Sequence, residues 1–236
     1  IKSVEDSLRR MCTDHIDLIQ LHHPGPRTPV EETFSTLDAR VKQGKIRYIG
    51  VANHYAWQVA HELGVCALHN WEPIVSLQCR YNLCDRVVEN ETLPFCIRFN
   101  IATMLYGPLD GGLLTGNYKR GEPLPEGSRA AQSEGFASLL TDEYFDILDV
   151  LRDVAEKYGA GMNQIAMKWL LSRPGVTCPL LGGSKPEHFS SMYTLDQIKV
   201  EEDDLERLTE ISTPRRYRDH MNQPIVRGAP HALHWW

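Results

Sequence analysis

Residues 28–53 read TPVEETFSTLDARVKQGKIRYIGVAN, the pattern of one helix followed directly by one strand. Phe34, Leu37 and Val41 recur at helical spacing and form an apolar stripe, and a glycine follows where the helix is expected to end. The apolar run after that glycine has the length of a strand. This stretch therefore predicts an α/β protein in which helices pack on a sheet.

The alternation of helix and strand continues through most of the chain. Strands with an irregular or glycine-rich exit are predicted at 16–21, 46–53, 73–81, 101–109 and 176–184. Such alternation favours a parallel sheet with right-handed crossovers, and continuously apolar strands require a sheet covered on both faces or closed into a barrel. We predict a single domain over 1–236 with an irregular tail at 213–236.

The composition excludes several classes of protein. The chain has 236 residues and a net charge of −6 without a polybasic block, so nucleic acid is not expected as a partner. Its longest apolar runs are too short to cross a bilayer, so no membrane association is expected. The 6 cysteines are scattered without metal-like spacing. They are typical of the buried thiols of a cytoplasmic protein.

Candidate site residues stand at the carboxyl ends of the predicted strands, because ligands of parallel α/β folds bind there. These ends carry imidazoles, carboxamides, an aromatic ring and glycines. In chain order they are His22, His23, Ala52, Asn53, His54, Gln78, Arg80, Tyr81, Asn82, Tyr106, Gly107, Pro108, Leu109, Gly182, Gly183, Ser184 and Lys185.

The side chains missing from this set are also informative. There is no carboxylate pair for glycosidase chemistry, no HxH motif for a metal and no strand-end lysine suited to a Schiff base. The imidazole, two carboxamides and tyrosine that remain suit a neutral, planar ligand bearing an amide. A nicotinamide ring fits that description.

Five motifs resemble, in order, those of the aldo-keto reductases, and together they cover nearly the whole chain. They are DLIQLHHP, TPVEETFSTLDARVKQGKIRYIGVAN, LQCRYNL, LYGPLDGGLLTGNY and PLLGGSKPEHF. The resemblance implies a (β/α)8 TIM barrel, of which this chain supplies about strands 4–8. It also implies an oxidoreductase that reduces an aldehyde or ketone to an alcohol with NADPH.

The resemblance implies a role for each matching residue near the reaction. His22 is expected to orient and polarise the substrate carbonyl, and His23 to line the substrate pocket. Asn53 and Gln78 are expected to bind the nicotinamide carboxamide, and Tyr106 to stack on the ring.

The same resemblance assigns the phosphate groups of the cofactor. Leu109 and the backbone near it are expected to contact the pyrophosphate. Ser184, Lys185 and His188 are expected to contact the adenosine 2′-phosphate, for which a hydroxyl, a cation and helix N–H groups are suitable donors.

The sequence departs from the family pattern in one major respect. The family's catalytic aspartate, tyrosine and lysine precede the histidine strand, and no matching residues occur in this chain. A closed barrel needs eight strands, so we expect the natural protein to carry roughly three further βα units of about 30 residues each. Ala52, Gly107, Ser191 and Met192 also differ from the residues usual at those cofactor positions.

Two alternatives to the reductase stay open. One is a cofactor-binding regulatory or scaffold subunit of the same fold, like the β subunits of potassium channels, because fold does not determine function. The other is an inactive truncated product. The sequence does not name the carbonyl substrate, and a homo-oligomer is one assembly that it allows.

Overall fold

The computed structural model describes residues 2–25, 27–183 and 185–213. The chain forms two compact units. The N-terminal unit contains Ile1–Cys79 and Val88–Leu105, and the C-terminal unit contains Arg80–Val87 and Tyr106–Trp236. The predicted single domain stays a prediction, and most of the predicted tail lies outside the described residues.

The N-terminal unit contains four helices and the first four strands, except for the last residues of β3 and β4 and the first residue of a 3-10 turn. Its elements are α1 (Lys2–Met11), β1 (Ile16–Leu21), α2 (Val30–Lys42), β2 (Ile46–Ala52), α3 (Ala56–His69), β3 (Ile74–Arg80), a 3-10 turn (Val87–Glu89), α4 (Thr92–Arg98) and β4 (Ala102–Tyr106).

The C-terminal unit is mainly helical. Its elements are a 3-10 segment (Asp110–Thr115), α5 (Arg129–Gln132), α6 (Glu134–Ala137), α7 (Asp142–Lys157), α8 (Met162–Ser172), β5 (Cys178–Leu180), α9 (Glu187–Ser190), a second 3-10 segment (Ser191–Gln197) and α10 (Glu202–Ser212). Among the described helices, none has both the length and the apolar character that crossing a membrane requires.

Strand order in the N-terminal unit follows the chain, β1-β2-β3-β4. β1 pairs with β2 in parallel, from Ile16 opposite Ile46 to Leu21 opposite Val51. β2 pairs with β3 in parallel, with a register shift next to Gly50. The parallel pairing matches the crossover helices that the sequence predicts, because parallel neighbours cannot be joined by a tight turn.

The core of the N-terminal unit lies between the sheet and its helices. Phe34 and Leu37 of α2 are buried in one cluster with Ile49 and Val51 of β2. Val41 packs against the edge of the same cluster. The apolar stripe predicted from residues 28–53 is thus the face of α2 that packs on the sheet.

A buried tryptophan organises the C-terminal unit. Trp169 of α8 is fully buried, and its Nε1 donates to Thr209 Oγ1 of α10 over 2.9 Å. The Trp169 ring centroid lies 5.8 Å from the Tyr81 ring centroid. The Arg86 guanidinium lies 5.4 Å from the same Trp169 centroid. These contacts explain why residues 80–87 belong to this unit rather than to the one that precedes them in the chain.

The strands end earlier than the sequence predicts. β2 ends at Ala52 because Asn53 has φ +60°, and β4 ends at Tyr106 because Gly107 has φ +68°. Both values lie in the left-handed region, which interrupts an extended strand. β5 has three residues instead of the predicted nine, and its central residue is Pro179, which has no N–H to donate.

Two Gly→Ala substitutions are expected to change stability in opposite directions. A Cβ on Gly50 would overlap Ser76 Oγ and lie 2.8 Å from Gln20 Oε1, whereas a Cβ on Gly64 of α3 meets nothing within 4 Å. Gly50→Ala should therefore lower the free energy of unfolding by about 1–3 kcal/mol. Gly64→Ala should raise it by about 0.5–1 kcal/mol, because alanine is the better helix former. Urea denaturation measures both, and equal stability of Gly50→Ala and the parent would contradict the close approach of the three strands.

Candidate functional site

Three of the predicted site residues are joined by hydrogen bonds in the N-terminal unit. Asn53 Nδ2 donates to the His22 carbonyl over 3.0 Å, and Asn53 N–H donates to the Gln78 carbonyl over 2.9 Å. The ends of β1, β2 and β3 are thereby held side by side. The left-handed backbone of Asn53 suits this role, because asparagine tolerates that conformation better than most residues.

The two histidines after β1 are exposed and in contact with each other. Their ring centroids lie 4.2 Å apart with an interplanar angle of 41°. His23 also lines a pocket of about 330 Å³ in the N-terminal unit, together with Phe34 of α2 and Trp57 of α3. The sequence predicts that His23 lines the substrate pocket, and this assignment stays a prediction.

The C-terminal unit contains a larger cavity, of about 780 Å³. Tyr106, Leu109 and His188 all line it. Lys185 is exposed, and its carbonyl accepts a hydrogen bond from His188 N–H over 3.1 Å just before α9. Ser184 lies outside the described residues. The cavity thus brings together residues that the sequence assigns to three different parts of one cofactor.

A buried carboxylate fixes the loop that follows β4. Asp110 accepts hydrogen bonds from the Arg80 guanidinium, from Tyr144 Oη over 2.8 Å and from Asn82 Nδ2 over 3.4 Å. Asn82 Nδ2 also donates to the Gly107 carbonyl over 2.9 Å. Burial and the nearby Asp110 carboxylate raise the pKa of the Tyr144 phenol, so Tyr144 remains a protonated donor to Asp110.

The backbone of this loop requires glycine at the cavity wall. Gly111 has φ +63° and Gly112 has φ +101°, and a Cβ on Gly111 would lie 2.6 Å from the Phe136 ring. At Gly111 both the backbone conformation and the Phe136 ring exclude a side chain. At Gly112 nothing lies within 4 Å of the position that a Cβ would take, so a ligand can approach the backbone closely there.

Two polar residues line the cavity beyond those that the resemblance assigns. The Arg129 guanidinium lies 4.3 Å from the Phe136 ring centroid, and it also lines the cavity. Asn163 lines it from α8 and donates from Nδ2 to Ser191 Oγ over 2.8 Å. A cation, an amide and exposed backbone are donors that suit phosphate oxygens, so the cavity fits a phosphate-bearing cofactor.

The sequence leaves Arg129 open as either a cofactor-loop residue or a solvated surface arginine, and it does not single out Asn163. Arg129 follows a capping serine, Ser128, whose Oγ accepts from the N–H of Ala131 over 3.2 Å. That capping pattern is the signal that could have placed a helix, and hence Arg129, at this point in the long loop. Asn163 carries no comparable signal, because its position at the cavity depends on how α8 packs.

The described residues contain no cluster of three or more histidine, cysteine, aspartate or glutamate side chains that could hold a metal ion. The described cysteines are free and include Cys66, Cys79 and Cys96 in buried positions. Burial raises the pKa of the Cys66 thiol to about 11, so this thiol is protonated at neutral pH.

Comparison with known proteins supports one family throughout. The profile described as "Aldo/keto reductase family" matches residues 1–213. The chain is 34% identical over 193 residues to the aldo-keto reductase YhdN of Bacillus subtilis (strain 168), covering 81% of this chain and 56% of that protein. It is 33% identical over 195 residues to a putative voltage-gated potassium channel subunit beta of Schizosaccharomyces pombe, covering 79% of this chain and 56% of that protein.

A solved structure gives the same result for the fold. The glycerol dehydrogenase AKR11B4 of Gluconobacter oxydans superposes with a TM-score of 0.76 at 28% identity, covering 90% of this chain and 64% of that chain. This likeness confirms the predicted fold class, a (β/α)8 barrel of which this chain supplies part. The chain thus spans roughly three fifths of the length of the proteins that it matches.

Replacing Asp110 tests whether its three donors hold the cavity loop. Asp110→Asn keeps the shape but turns an amide N–H₂ toward groups that also donate, so the free energy of unfolding should fall by about 1–3 kcal/mol. Asp142→Asn is the matched control, because the Asp142 side chain is 94% exposed and pairs only at the surface with Arg120. Urea denaturation should show no measurable change for the control. Equal stability of both variants would contradict the anchoring role of Asp110.

Proposed function

Because this chain belongs to the aldo/keto reductase family, we propose that it binds NADPH and takes part in the reduction of an aldehyde or ketone to an alcohol. The observation that carries the proposal is the 780 Å³ cavity, where Tyr106, Leu109 and His188 meet a glycine backbone and Arg129. When bound, NADPH supplies the hydride. The identity of the carbonyl substrate stays open, since only family membership supports the substrate class.

In this proposal the residues at the carboxyl ends of β1, β2 and β3 supply the groups nearest the reaction. His22 donates a ring N–H to the carbonyl oxygen, which orients the substrate and increases the partial positive charge on its carbon. Asn53 and Gln78 bind the nicotinamide carboxamide, whose donor and acceptor they complement. The hydrogen bonds from Asn53 to the His22 and Gln78 backbones support this assignment, because they hold the three residues at one edge.

The remaining cofactor contacts are assigned to Tyr106 and to residues that follow it in the chain. Tyr106 stacks on the nicotinamide, and the backbone near Leu109 donates to the pyrophosphate with Arg129 as its cation. Lys185 and His188 bind the adenosine 2′-phosphate together with Ser184. A cation at that phosphate favours NADPH over NADH, because NADH has a hydroxyl there.

The proton that the reduced carbonyl takes up is not assigned to a residue of this chain. The aspartate, tyrosine and lysine that the family resemblance implies have no counterpart in 1–236. Tyr144 does not replace that tyrosine, since it is buried and donates to Asp110. The cytoplasmic location and the homo-oligomer also stay predictions.

A second candidate function is a cofactor-binding regulatory subunit. The relative named as a potassium channel subunit beta favours it, because that protein is 33% identical to this chain and the named reductase 34%. Binding of NADPH without turnover of any carbonyl would support this candidate. A chain that binds no NADPH would instead support the inactive truncated product.

Lys185→Ala tests the choice of cofactor. The variant should bind NADPH about tenfold more weakly and NADH unchanged, because one ion-paired hydrogen bond to the 2′-phosphate is lost. Quenching of nicotinamide fluorescence on titration with the protein measures both affinities. Lys119→Ala, another exposed lysine, is the matched control. An equal loss for NADPH and NADH would contradict the 2′-phosphate assignment.

His22→Ala tests the role of the imidazole. Turnover of a carbonyl such as 4-nitrobenzaldehyde, followed by the loss of NADPH absorbance, should fall by about 100-fold or more. The affinity for NADPH should not change, since His22 is assigned to the substrate and not to the cofactor. Full turnover in the variant would show that His22 does not polarise the carbonyl.

A further inference from the structure

The peptide group between Ala52 and Asn53 is held from two sides at the end of β2. Its N–H, which belongs to Asn53, donates to the Gln78 carbonyl over 2.9 Å. Its carbonyl oxygen, which belongs to Ala52, lies 2.9 Å from Nδ1 of the His54 ring. Ala52 and His54 are both buried, so this second contact lies away from solvent. The proposed function uses Asn53 and Gln78 but gives no role to His54.

The geometry of the ring makes His54 the donor in this contact. A carbonyl oxygen only accepts hydrogen bonds, so Nδ1 carries the hydrogen. On the other side of the ring, Nε2 lies 3.2 Å from Oε1 of Glu62, a residue of α3. The His54 and Glu62 side chains are only 1% and 7% exposed. A buried carboxylate at this distance from Nε2 orients the imidazole, which keeps Nδ1 directed at the Ala52 carbonyl.

Asn53 has a backbone conformation that its surroundings must maintain. Its φ of +60° lies in the left-handed region, which a residue other than glycine keeps only where the surrounding structure holds it. In this conformation Asn53 Nδ2 donates to the His22 carbonyl over 3.0 Å. Rotation of the peptide group before Asn53 would break its bonds to Gln78 and to His54 together. The bond from His54 therefore opposes a movement that would displace the Asn53 side chain.

We propose that His54 is a positioning residue, which holds the Ala52–Asn53 peptide group so that Asn53 is in place to bind the nicotinamide carboxamide. Glu62 supports this role by orienting the His54 ring. A residue that is already in place loses less conformational freedom when the ligand binds, so the affinity is higher. The inference rests on the proposed function, because it needs Asn53 to contact the cofactor, whereas His54 acts only through the backbone.

Two substitutions at His54 separate its hydrogen-bond donor from the bulk of its side chain. Asparagine places an amide N–H₂ group about where Nδ1 lies, and leucine has nearly the same shape without a donor. Both variants lose the contact with Glu62. A purely structural role of His54 therefore predicts that His54→Asn and His54→Leu behave alike. The positioning role predicts that the asparagine restores what the leucine removes.

Hydrogen exchange compares the two variants with no cofactor present. The Asn53 N–H should exchange at least about tenfold faster in His54→Leu than in His54→Asn, because the peptide group opens more often without the bond to its carbonyl. The N–H of Leu37, a buried residue of α2, is the internal control and should exchange at the same rate in both variants. NMR of ¹⁵N-labelled protein follows both signals. Equal exchange rates of the Asn53 N–H would overturn the inference.

Ligand binding measures the consequence for the cofactor. NADPH should bind His54→Leu about tenfold more weakly than His54→Asn. Adenosine 2′,5′-bisphosphate, which has no nicotinamide, should bind both variants equally, and isothermal calorimetry measures both ligands. An equal loss for the two ligands would show a general defect and contradict the positioning role. A parent protein that binds no NADPH would contradict the proposed function, and the Asn53 exchange rates would still decide whether His54 holds the peptide group.

The parent protein gives a further test, which stands even if His54→Leu does not fold. In protein with ¹⁵N-labelled histidine, the Nδ1 signal of His54 is identified by its loss in His54→Asn. It should have the chemical shift of a nitrogen that carries a hydrogen. An Nδ1 without a hydrogen would overturn the inference, because it could not donate to the Ala52 carbonyl.

Discussion

Parallel pairing of the strands is the constraint on which the rest of the structure depends. β1, β2 and β3 run in one direction, so each connection must cross the sheet, and α2 and α3 are those crossovers. The carboxyl ends of the three strands therefore meet at one edge. Asn53 then connects the His22 and Gln78 backbones directly, and reversing any one strand would separate these residues.

Two buried carboxylates, Asp110 and Glu62, differ in how fully their oxygens are hydrogen-bonded within the described residues. Asp110 accepts hydrogen bonds from Arg80 at the end of β3, from Asn82 just after it and from Tyr144 of α7, so its charge is compensated within the protein. Glu62 Oε1 lies 3.2 Å from His54 Nε2, and Glu62 Oε2 has no hydrogen-bond partner among the described residues. The first arrangement holds a loop in place. The second leaves a buried acceptor without a donor, which lowers the stability of the fold.

Much of the fold could be predicted, because periodicity is a local property of the chain. The apolar stripe of α2 and the strand that follows it are both observed, and the five predicted strands all occur within the described residues. The strand ends were less accurate, since Asn53 and Gly107 adopt left-handed backbones that no periodicity records. The residues after Leu109 carry no periodic pattern, yet Ser128 caps a short helix among them.

The sequence by itself determined the family, the order of helices and strands, and the polar residues at the strand ends, because these depend on residue type and spacing along the chain. Only the tertiary structure decided which of those residues meet. It placed Arg129 and Asn163 beside Tyr106 at one cavity and turned Glu62 inward onto His54. The reason is physical: a side chain on a helix reaches a site only through the packing of that helix, and packing joins residues far apart in sequence.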